Sequence, residues 1–334
     1  MGSFYENKRI LITGGTGSIG SEIVKQLIPL KPEVLRVFSR DETEHYLLRE
    51  RLDQPKCLRL LVGDVRDRYR LRRALEGVHL VFHTAALKHV PSCEYNPFEA
   101  VQTNVVGTQN LIDAALDEGV ERIVAMSTDK AVDPAFTMGA TKLLAEKIVV
   151  ATQVWSRKLK LACVRFGNVL GSRGSVVPLV REQVLRRKEI TITDPKMTRF
   201  VMTIGEAARL TMRAMELMEG GEVFILKSMA SVTVEDLVHA IVEETVAAHS
   251  IDPKSIRFKT IWRPGEKTHH RLFADEELSR VEKREDMFVV RHPSLDVEGA
   301  KARVKVARRM YLSESARPRG KEWIRKLLRE ERLV

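Results

Sequence analysis

The chain has 334 residues, of which 44% are apolar and 30% charged, with ordinary numbers of glycine and proline. This length and composition allow a large hydrophobic core and exclude a fibrous, intrinsically disordered or disulfide-stabilised small protein. The formal net charge of +11 is concentrated at the C-terminus, since residues 301–334 contain 12 basic and 4 acidic residues. No nucleic-acid partner is predicted, because basic residues interleaved with stacking aromatics and DNA-binding motifs are missing.

Location and metal content follow from what the sequence lacks. It contains no run of about 18 uncharged apolar residues and no signal-peptide core at its N-terminus, so we expect a cytoplasmic protein. The cysteines are odd in number, and no histidine has partners at metal-ligand spacing, so no disulfide framework and no metal cofactor are predicted. We interpret the histidines as packing or surface residues; the ones considered are His83, His89, His269 and His270.

Short apolar runs alternate with helix-like stretches from Lys8 onward. The apolar runs are RILIT, VLRVF, LRLLVGD, HLVFHTA, RIVAMST and KLACVRFGNVLG, and helical spacing is found at residues 18–28, 41–52, 68–75, 95–116 and 137–152. Such alternation is typical of parallel βαβ units. We predict an α/β fold with a Rossmann-type doubly wound parallel sheet, whose ligands bind beyond the carboxyl ends of the strands.

The pattern loosens after Gly171. Helices are predicted at residues 175–187, 203–218 and 234–248, separated by the short strands EITIT, EVFIL and IRFKTI. We interpret this part as a smaller C-terminal α/β lobe for the substrate. The predicted division is 1–170 for the Rossmann domain, 171–300 for the lobe and 301–334 for a basic tail, with part of 200–230 as a candidate to return to the Rossmann domain.

The first strand is followed by a glycine motif. Residues 14–20 read GGTGSIG, which places three glycines where a strand is followed by a helix. Glycines at these positions permit a tight turn, close approach of a pyrophosphate and close helix packing, while the N–H groups at the helix start bind the anion. We predict a dinucleotide site formed by Gly14, Thr16, Gly17, Ser18, Ile19 and Gly20.

The end of the second strand indicates which dinucleotide binds. The sequence VFSRDE places Ser39 and Arg40 where an acidic residue would bind a ribose 2′-hydroxyl. Arg40 suits a 2′-phosphate, which favours NADP over NAD, whereas Asp41 is either the N-cap of the next helix or a ribose ligand. Further cofactor contacts are expected after the third and fourth strands, from Asp64, Val65, Ala85 and Ala86.

Several further motifs occur along the chain in a characteristic order: AALKHVP, TNVVGT, STDKAV, MGATK, RFGNVLGSRGSVVP, DPKMTRF and RPGEK. Together with the glycine motif they resemble the extended short-chain dehydrogenase/reductases, specifically the 4,6-dehydratases that act on UDP-N-acetylglucosamine. The resemblance covers about residues 7 to 290. It implies a UDP-sugar substrate, a tightly bound NADP that is recycled in each turnover, and a homo-oligomer.

The resemblance also marks the catalytic positions. In that superfamily a Tyr-x-x-x-Lys pair acts on the sugar 4-hydroxyl; here Met138 takes the tyrosine position and Lys142 is kept one helical turn later. A thioether cannot take up this proton, but one membrane-anchored branch of the dehydratases is similar in having methionine there. The sequence therefore predicts a methionine-variant dehydratase with Thr128 as the hydroxyl nearest O4, since Ser127 points to the other side of the strand.

Asp129 and Lys130 directly follow Thr128. Oxidation at C4 would acidify the C5 proton, and a base would remove it while an acid protonates the departing 6-hydroxyl. We predict that these two residues are that acid and base, in an order that the sequence leaves open. The alternative interpretation is a solvated charged pair in a loop.

The substrate residues are implied by the resemblance. The two phosphate charges of a UDP-sugar require cations and backbone amides, and arginine binds phosphate with two parallel hydrogen bonds. Lys88 is expected to face the sugar. The residues expected at the diphosphate, uracil and ribose are Asn168, Ser175, Val176, Arg199 and Arg263.

Two other functions fit parts of the sequence. A nucleotide-sugar epimerase or 4-ketoreductase would use the same fold, although it needs no elimination acid. A non-catalytic NADP-binding protein would explain Met138. The tail is predicted to contain an amphipathic helix with an apolar stripe formed by Trp323, Ile324, Leu327 and Leu328. This stripe is expected to pack on the body of the protein or on a second subunit, and the alternative is peripheral contact with an anionic membrane.

Overall fold

The computed structural model describes residues 2–186, 189–227, 229–261, 266–295 and 305–334. Its helices are α1 (Gly2–Tyr5), α2 (Ser18–Leu27), α3 (Glu42–Arg51), α4 (Arg68–Leu75), α5 (Val90–Tyr95), α6 (Pro97–Ala100), α7 (Gly107–Asp117), α8 (Thr137–Trp155), α9 (Val176–Arg186), α10 (Ile204–Leu217), α11 (Val234–Ala248) and α12 (Lys321–Glu330). A π-helical segment, Val101–Val106, joins α6 to α7. Its strands are β1 (Arg9–Thr13), β2 (Val34–Ser39), β3 (Leu58–Val62), β4 (Leu80–His83), β5 (Arg122–Thr128), β6 (Lys160–Phe166), β7 (Asn168–Val169), β8 (Glu189–Ile192), β9 (Thr198–Met202), β10 (Glu222–Leu226), β11 (Ala230–Thr233), β12 (Arg257–Thr260), β13 (Val281–Arg284) and β14 (Met287–Arg291).

A nine-stranded sheet forms the centre of the protein. Its order is β13-β14-β10-β6-β5-β4-β1-β2-β3, in which β3 to β10 are parallel and β14 and β13 are added antiparallel at one edge. The segment β3-β2-β1-β4-β5-β6 has the order of a Rossmann fold, so the predicted fold class is confirmed. The carboxyl ends of its strands form one edge, where ligands of such sheets bind.

Helices cover both faces of this sheet. One apolar core contains residues of α4, α7 and α8, and the other contains residues of α2 and α10. The central strands are buried on both faces, which is why they are continuous apolar runs; all four residues of β4 are buried. Helix starts follow from local capping: Asp67 caps α4, and Thr203 and Glu206 form a capping box at α10.

A smaller lobe stands beyond the carboxyl edge of the sheet. It contains a three-stranded sheet in the order β11-β9-β7 and the parallel pair β12-β8. A third apolar core joins these strands to α9, α11 and α12. Since β7 follows β6 after a single residue, the lobe is placed directly over the edge at which ligands are expected.

The structure differs from the predicted division in one respect. β13 and β14 come from the range assigned to the lobe but are added to the large sheet. β10 joins the same sheet and α10 packs on its face with α2, and both lie within 200–230, the range predicted as a candidate to return to the Rossmann domain. The lobe is therefore discontinuous in sequence. The cause is tertiary: the exposed edge of β6 needs a hydrogen-bonding partner, and β10 supplies it.

The tail helix α12 packs on α11. Ile324 and Leu328 have no exposed surface, and Glu244 of α11 accepts hydrogen bonds from Arg325 Nε and Arg329 Nε, both at 2.6 Å. Of the predicted places for this helix, the structure shows packing on the body. Trp323 and Leu327 of the same stripe are partly buried against this core.

We predict that Leu328→Ala lowers the free energy of unfolding by about 2–5 kcal/mol, because a buried leucine is replaced by a cavity. Guanidinium unfolding followed by circular dichroism measures this. The control is Lys326→Ala on the exposed side of α12, with an expected change within about 0.5 kcal/mol. Equal stability of Leu328→Ala and the wild type would show that α12 does not belong to this core.

Candidate active site

The turn between β1 and α2 has no room for a side chain at two of its glycines, Gly14 and Gly20. Gly14 has a φ of +65°, and a Cβ there would lie 2.7 Å from the Cα of Ala85. A Cβ on Gly20 would lie 2.6 Å from the carbonyl oxygen of Gly14. α2 starts at Ser18 after Gly17, whose lack of a side chain leaves the first helical N–H groups open to an anion. Thr16 and Ile19 lie in the same turn. This shape fits the pyrophosphate of a dinucleotide, and the assignment of these residues stays a prediction.

The end of β2 carries the residues predicted to select the dinucleotide. Ser39 Oγ accepts hydrogen bonds from N and Oγ1 of Thr16, at 3.3 and 3.1 Å. The carboxylate of Asp41 accepts from a backbone N–H in the first turn of α3 at 3.1 Å, so the N-cap interpretation is the one observed. Arg40 is more than half exposed, and its Nη1 lies 3.9 Å from Asp64 Oδ2. The cation predicted for a 2′-phosphate therefore stands at the surface beside the glycine turn.

The ends of β3 and β4 bring the other predicted cofactor residues to the same edge. Asp64 is bound by the guanidinium of Arg66, with distances of 2.9 and 2.7 Å to Oδ2. Val65 is buried in the core beside α7, whereas Ala85 and Ala86 are half-buried and follow β4. The positions are those expected from the strand ends, and no cofactor contact is visible to test them.

Helix α8 carries Met138 and Lys142. Met138 is buried in a small apolar cluster with Cys93 and Ala100, where a hydroxyl is missing from the usual catalytic position. Burial lowers the pKa of Lys142, while Glu146 one turn later opposes this shift. Lys142 is thus enclosed between the sheet and α8, as a residue that holds a cofactor ribose would be.

The π-helical segment fixes the start of α8. Asn104 in this segment accepts a hydrogen bond from the Leu87 N–H at 2.8 Å and donates to the Leu87 carbonyl at 3.0 Å. It also donates to Thr141 Oγ1 at 3.0 Å. The loop after β4 and the helix that bears Met138 are therefore tied together by one buried amide.

The loop after β5 forms a polar cluster around Asp129. One carboxylate oxygen, Oδ1, accepts hydrogen bonds from Thr128 Oγ1 at 2.9 Å and Lys130 Nζ at 3.0 Å. The other, Oδ2, lies 2.5 Å from Nδ1 of His270. Lys130 Nζ also donates to Asn168 Oδ1 at 3.0 Å. The predicted Thr128, Asp129, Lys130 and Asn168 are thus in direct contact.

Burial and charge act in opposite directions on Asp129. Burial alone would raise its pKa, but His270 and Lys130 hold the pKa of this carboxyl well below its usual range. Burial lowers the pKa of His270 to about 4, with Asp129 opposing the shift. Asp129 has no exposed side-chain surface, whereas Lys130 is 32% exposed. Lys130 is therefore the member of the predicted acid–base pair that reaches the open side of the cluster.

The neighbouring Ser127 points away from this cluster, as predicted. Its hydroxyl donates to Glu146 Oε2 at 2.5 Å, and Glu146 in turn pairs with Arg165 on β6. Arg165 also pairs with Glu277 at 2.7 Å, so a buried arginine links β6, α8 and the segment before β13. Alternate residues of β5 therefore serve two separate polar networks.

Three cations, Lys88, Lys130 and Arg173, lie near one another at the rim of the site. Partial burial lowers the pKa of Lys88, and the charges of Arg173 and Lys130 lower it further. Arg173 pairs with Glu44 at 2.7 Å, its guanidinium donates to the carbonyl of Thr16, and its N–H donates to Ser18 Oγ. The loop after β7 is thereby attached to the glycine turn.

The other predicted substrate residues are placed less uniformly. The Ser175 hydroxyl oxygen, just before Val176 at the start of α9, is buried and has no partner among the residues described. Arg199 is buried, pairs with Glu266 at 3.2 Å and donates to two backbone carbonyls. Arg263 lies outside the described residues.

Sequence reasoning missed His270 and Arg173. We had interpreted His270 as a packing or surface residue, and its buried contact with Asp129 corrects this. Its partner is 141 positions away, so no spacing rule could find it. Arg173 lies inside the motif GSRGSVVP, which was noticed, but a contact with the glycine turn requires the two lobes to be assembled.

Comparison with known proteins identifies relatives along most of the chain. A family model described as Polysaccharide biosynthesis protein matches residues 10–292. A Methanocaldococcus jannaschii protein named an uncharacterized membrane protein is 50% identical, over 98% of this chain and 97% of its own. The UDP-N-acetylglucosamine 4,6-dehydratase (inverting) of Campylobacter jejuni is 40% identical over 82% and 79% of the two chains. The UDP-glucose 4-epimerase of Rickettsia rickettsii is 38% identical over 93% and 90%.

Solved structures similar to this chain also include a nucleotide-sugar dehydratase. Pen from Bacillus thuringiensis has a TM-score of 0.92 and 39% identity, covering 99% of both chains. A double mutant of the dTDP-glucose 4,6-dehydratase DesIV from Streptomyces venezuelae, with NAD and DAU bound, has a TM-score of 0.68 and 25% identity over 78% and 86%.

The strand order, the glycine turn and the lysine of α8 define a Rossmann-type protein of the short-chain dehydrogenase/reductase class. Within that class, the chain belongs to the polysaccharide biosynthesis protein family, an extended branch with 4,6-dehydratases among its relatives. The predicted family is therefore confirmed.

Within the described ranges, no helix combines the length and the apolar character that crossing a bilayer requires.

Proposed function

We propose that this protein is a nucleotide-sugar 4,6-dehydratase that converts UDP-N-acetylglucosamine to a UDP-4-keto-6-deoxy sugar. The observation that carries the proposal is the buried Asp129, which holds Thr128 Oγ1 and Lys130 Nζ side by side beyond β5. Loss of water needs a proton acceptor and a proton donor close together at the ligand edge of the sheet. The 40% identity to a dehydratase of this type supports the choice.

NADP is the proposed cofactor, with NAD as the alternative. Bound nicotinamide would take a hydride from C4 of the sugar and return it to C6, so the cofactor is recycled. The glycine turn fits the pyrophosphate, and Lys142, enclosed beneath α8, would hold the nicotinamide ribose. Arg40 is the exposed cation available to a 2′-phosphate.

The residues after β5 are assigned to the sugar. Thr128 Oγ1 would orient the 4-hydroxyl, a role that the thioether of Met138 cannot fill. During oxidation at C4, the proton of the 4-hydroxyl would pass through Thr128 Oγ1 to the Asp129 cluster. Lys130 and Asp129 would then exchange the protons of the elimination: the C5–H bond breaks and its proton passes to the base, while the C6–O bond breaks and the 6-hydroxyl leaves as water with a proton from the acid. The base would return a proton to C5 when hydride reaches C6, so that each group regains its starting protonation state. Because Lys130 is the exposed member, we assign the first contact with the sugar to its Nζ.

The rim cations are assigned to the diphosphate. Burial and the charges of Arg173 and Lys130 lower the pKa of Lys88, and two phosphate groups would favour its charged form. Asn168, Ser175 and the start of α9 at Val176 would supply amide and hydroxyl groups to the nucleotide. Arg199 and Arg263 stay proposed ligands of phosphate or ribose.

A UDP-sugar 4-epimerase is the second candidate, because relatives with that name align with more of this chain than the dehydratases do. An epimerase needs no acid for a leaving hydroxyl. The Asp129–Lys130 pair therefore favours the dehydratase, and the product distinguishes the two functions.

We predict that the purified protein converts UDP-N-acetylglucosamine to a product lighter by one water, without net consumption of cofactor. Lys130→Ala and Asp129→Asn should each lower turnover at least tenfold, about 1.4 kcal/mol in activation free energy. Asp133→Asn, an exposed carboxylate in the same loop, is the control and should stay within about twofold. Mass spectrometry of the sugar nucleotide provides the measurement. An isomer of unchanged mass would favour the epimerase, and no product would favour a non-catalytic protein.

Thr128→Val should lower kcat tenfold or more, because the only hydroxyl of the Asp129 cluster is lost. Met138→Leu should be tolerated, since its apolar cluster needs volume alone. Steady-state rates with the same sugar compare the two variants. The reverse ranking would remove Thr128 from the reaction.

Arg40→Ala should weaken NADP binding about tenfold or more and NAD binding by no more than about twofold, because the lost charge-assisted hydrogen bonds reach only the 2′-phosphate. Calorimetric titration of both dinucleotides is the measurement, with the exposed Arg51→Ala as control. Equal losses for the two cofactors would place the selection elsewhere.

A further inference from the structure

His270 is held in place by the C-terminal part of the chain. Its backbone N–H donates to Ser313 Oγ at 2.8 Å, and the N–H of Ser313 donates back to the His270 carbonyl at 3.0 Å. Ser313 Oγ also accepts a hydrogen bond from Thr198 Oγ1 at 2.8 Å and donates one to the Thr198 carbonyl at 3.2 Å. The backbone of His270 is therefore held by Ser313, and only 7% of the His270 side chain is exposed.

The imidazole is directed at one carboxylate oxygen. His270 Nδ1 and Asp129 Oδ2 are 2.5 Å apart. An ionised carboxylate can only accept, so Nδ1 must carry the hydrogen and donate it. Because the pKa of His270 is lowered to about 4, chiefly by burial, this donor is a neutral imidazole at neutral pH.

The two carboxylate oxygens of Asp129 thus have different hydrogen-bond partners. Oδ1 faces Thr128 and Lys130, which lie toward the proposed sugar site. Oδ2 faces His270 alone among the contacts described. A carboxylate held at one oxygen can turn about its Cβ–Cγ bond, whereas a carboxylate held at both cannot.

We propose that His270 is a positioning residue of the active site, which holds Oδ2 of Asp129 so that Oδ1 stays directed at Thr128 and Lys130. The inference rests on the proposed function, since it adds a residue to the same site. It also assigns a task to the C-terminal segment around Ser313, because Ser313 holds the backbone from which the imidazole extends.

Two substitutions separate this role from simple packing. His270→Asn keeps an N–H donor near the position of Nδ1, whereas His270→Leu keeps the volume and removes the donor. We expect His270→Leu to lower kcat at least tenfold with KM for UDP-N-acetylglucosamine within about threefold, and His270→Asn to recover most of kcat. His269→Leu is the matched control, because His269 contacts Thr198 and not Asp129; its kcat should stay within about twofold.

The experiment has clear outcomes. Equal rates for wild type, His270→Leu and His270→Asn, or equal losses in both variants, would overturn the positioning role. Melting temperatures measured by circular dichroism show whether each variant is folded. If His270→Leu does not fold, His270→Gln replaces it, because its longer amide cannot occupy the Nδ1 position, and it should be slower than His270→Asn.

The proposed function is judged separately, from the product of the wild-type protein. Loss of water by the wild type together with unaffected His270 variants would overturn only the positioning role. A wild-type product of unchanged mass would overturn the dehydratase proposal. The rates of the His270→Leu and His270→Asn variants, relative to the wild type in that other reaction, would still test the positioning role of His270.

Discussion

The candidate site depends on the buried negative charge of the Asp129 carboxylate, which solvent does not reach. Asp129 has no exposed side-chain surface, and a buried carboxylate costs several kcal/mol unless hydrogen bonds and opposite charge compensate. The compensation comes from its own loop through Thr128 and Lys130 and from a distant segment through His270. The lobes must therefore be assembled before this ion is stable, which couples the folding of the C-terminal part to the formation of the site.

A second buried ion network lies on the other side of the same strand. Arg165 is completely enclosed and binds Glu146 of α8 and Glu277 of the C-terminal part. Such networks add little stability over apolar packing, but they tolerate few alternative arrangements. Glu146 is one turn after Lys142, so this network sets the rotation of α8 and with it the positions of Met138 and Lys142. Strand β5 can serve both networks because its successive side chains point to opposite faces.

The rim of the site has the opposite character, since three cations lie near one another there. Lys130 pairs with Asp129, Arg173 pairs with Glu44 and contacts the glycine turn, and the charges of both lower the pKa of Lys88. Repulsion among these cations disfavours the site without an anion and favours the binding of one. A nucleotide sugar bound as proposed would place its phosphates at the rim and its sugar hydroxyls at the Asp129 cluster.

The sequence alone determined the features that depend on local patterns. The bounds of β5, β10, α4 and α11 agree with their apolar runs and periodicity, and the glycine turn and the row Thr128-Asp129-Lys130 could be assigned because neighbours in the chain stay neighbours in the fold. Tertiary structure alone decided three matters: the addition of β13 and β14 to the large sheet, the burial of Ile324 and Leu328 of α12, and the contact of His270 with Asp129. Each of these contacts joins segments that are far apart in the chain. The sequence shows which segment needs a strand partner, an apolar surface or a hydrogen-bond donor, but periodicity and spacing do not indicate which distant segment provides it.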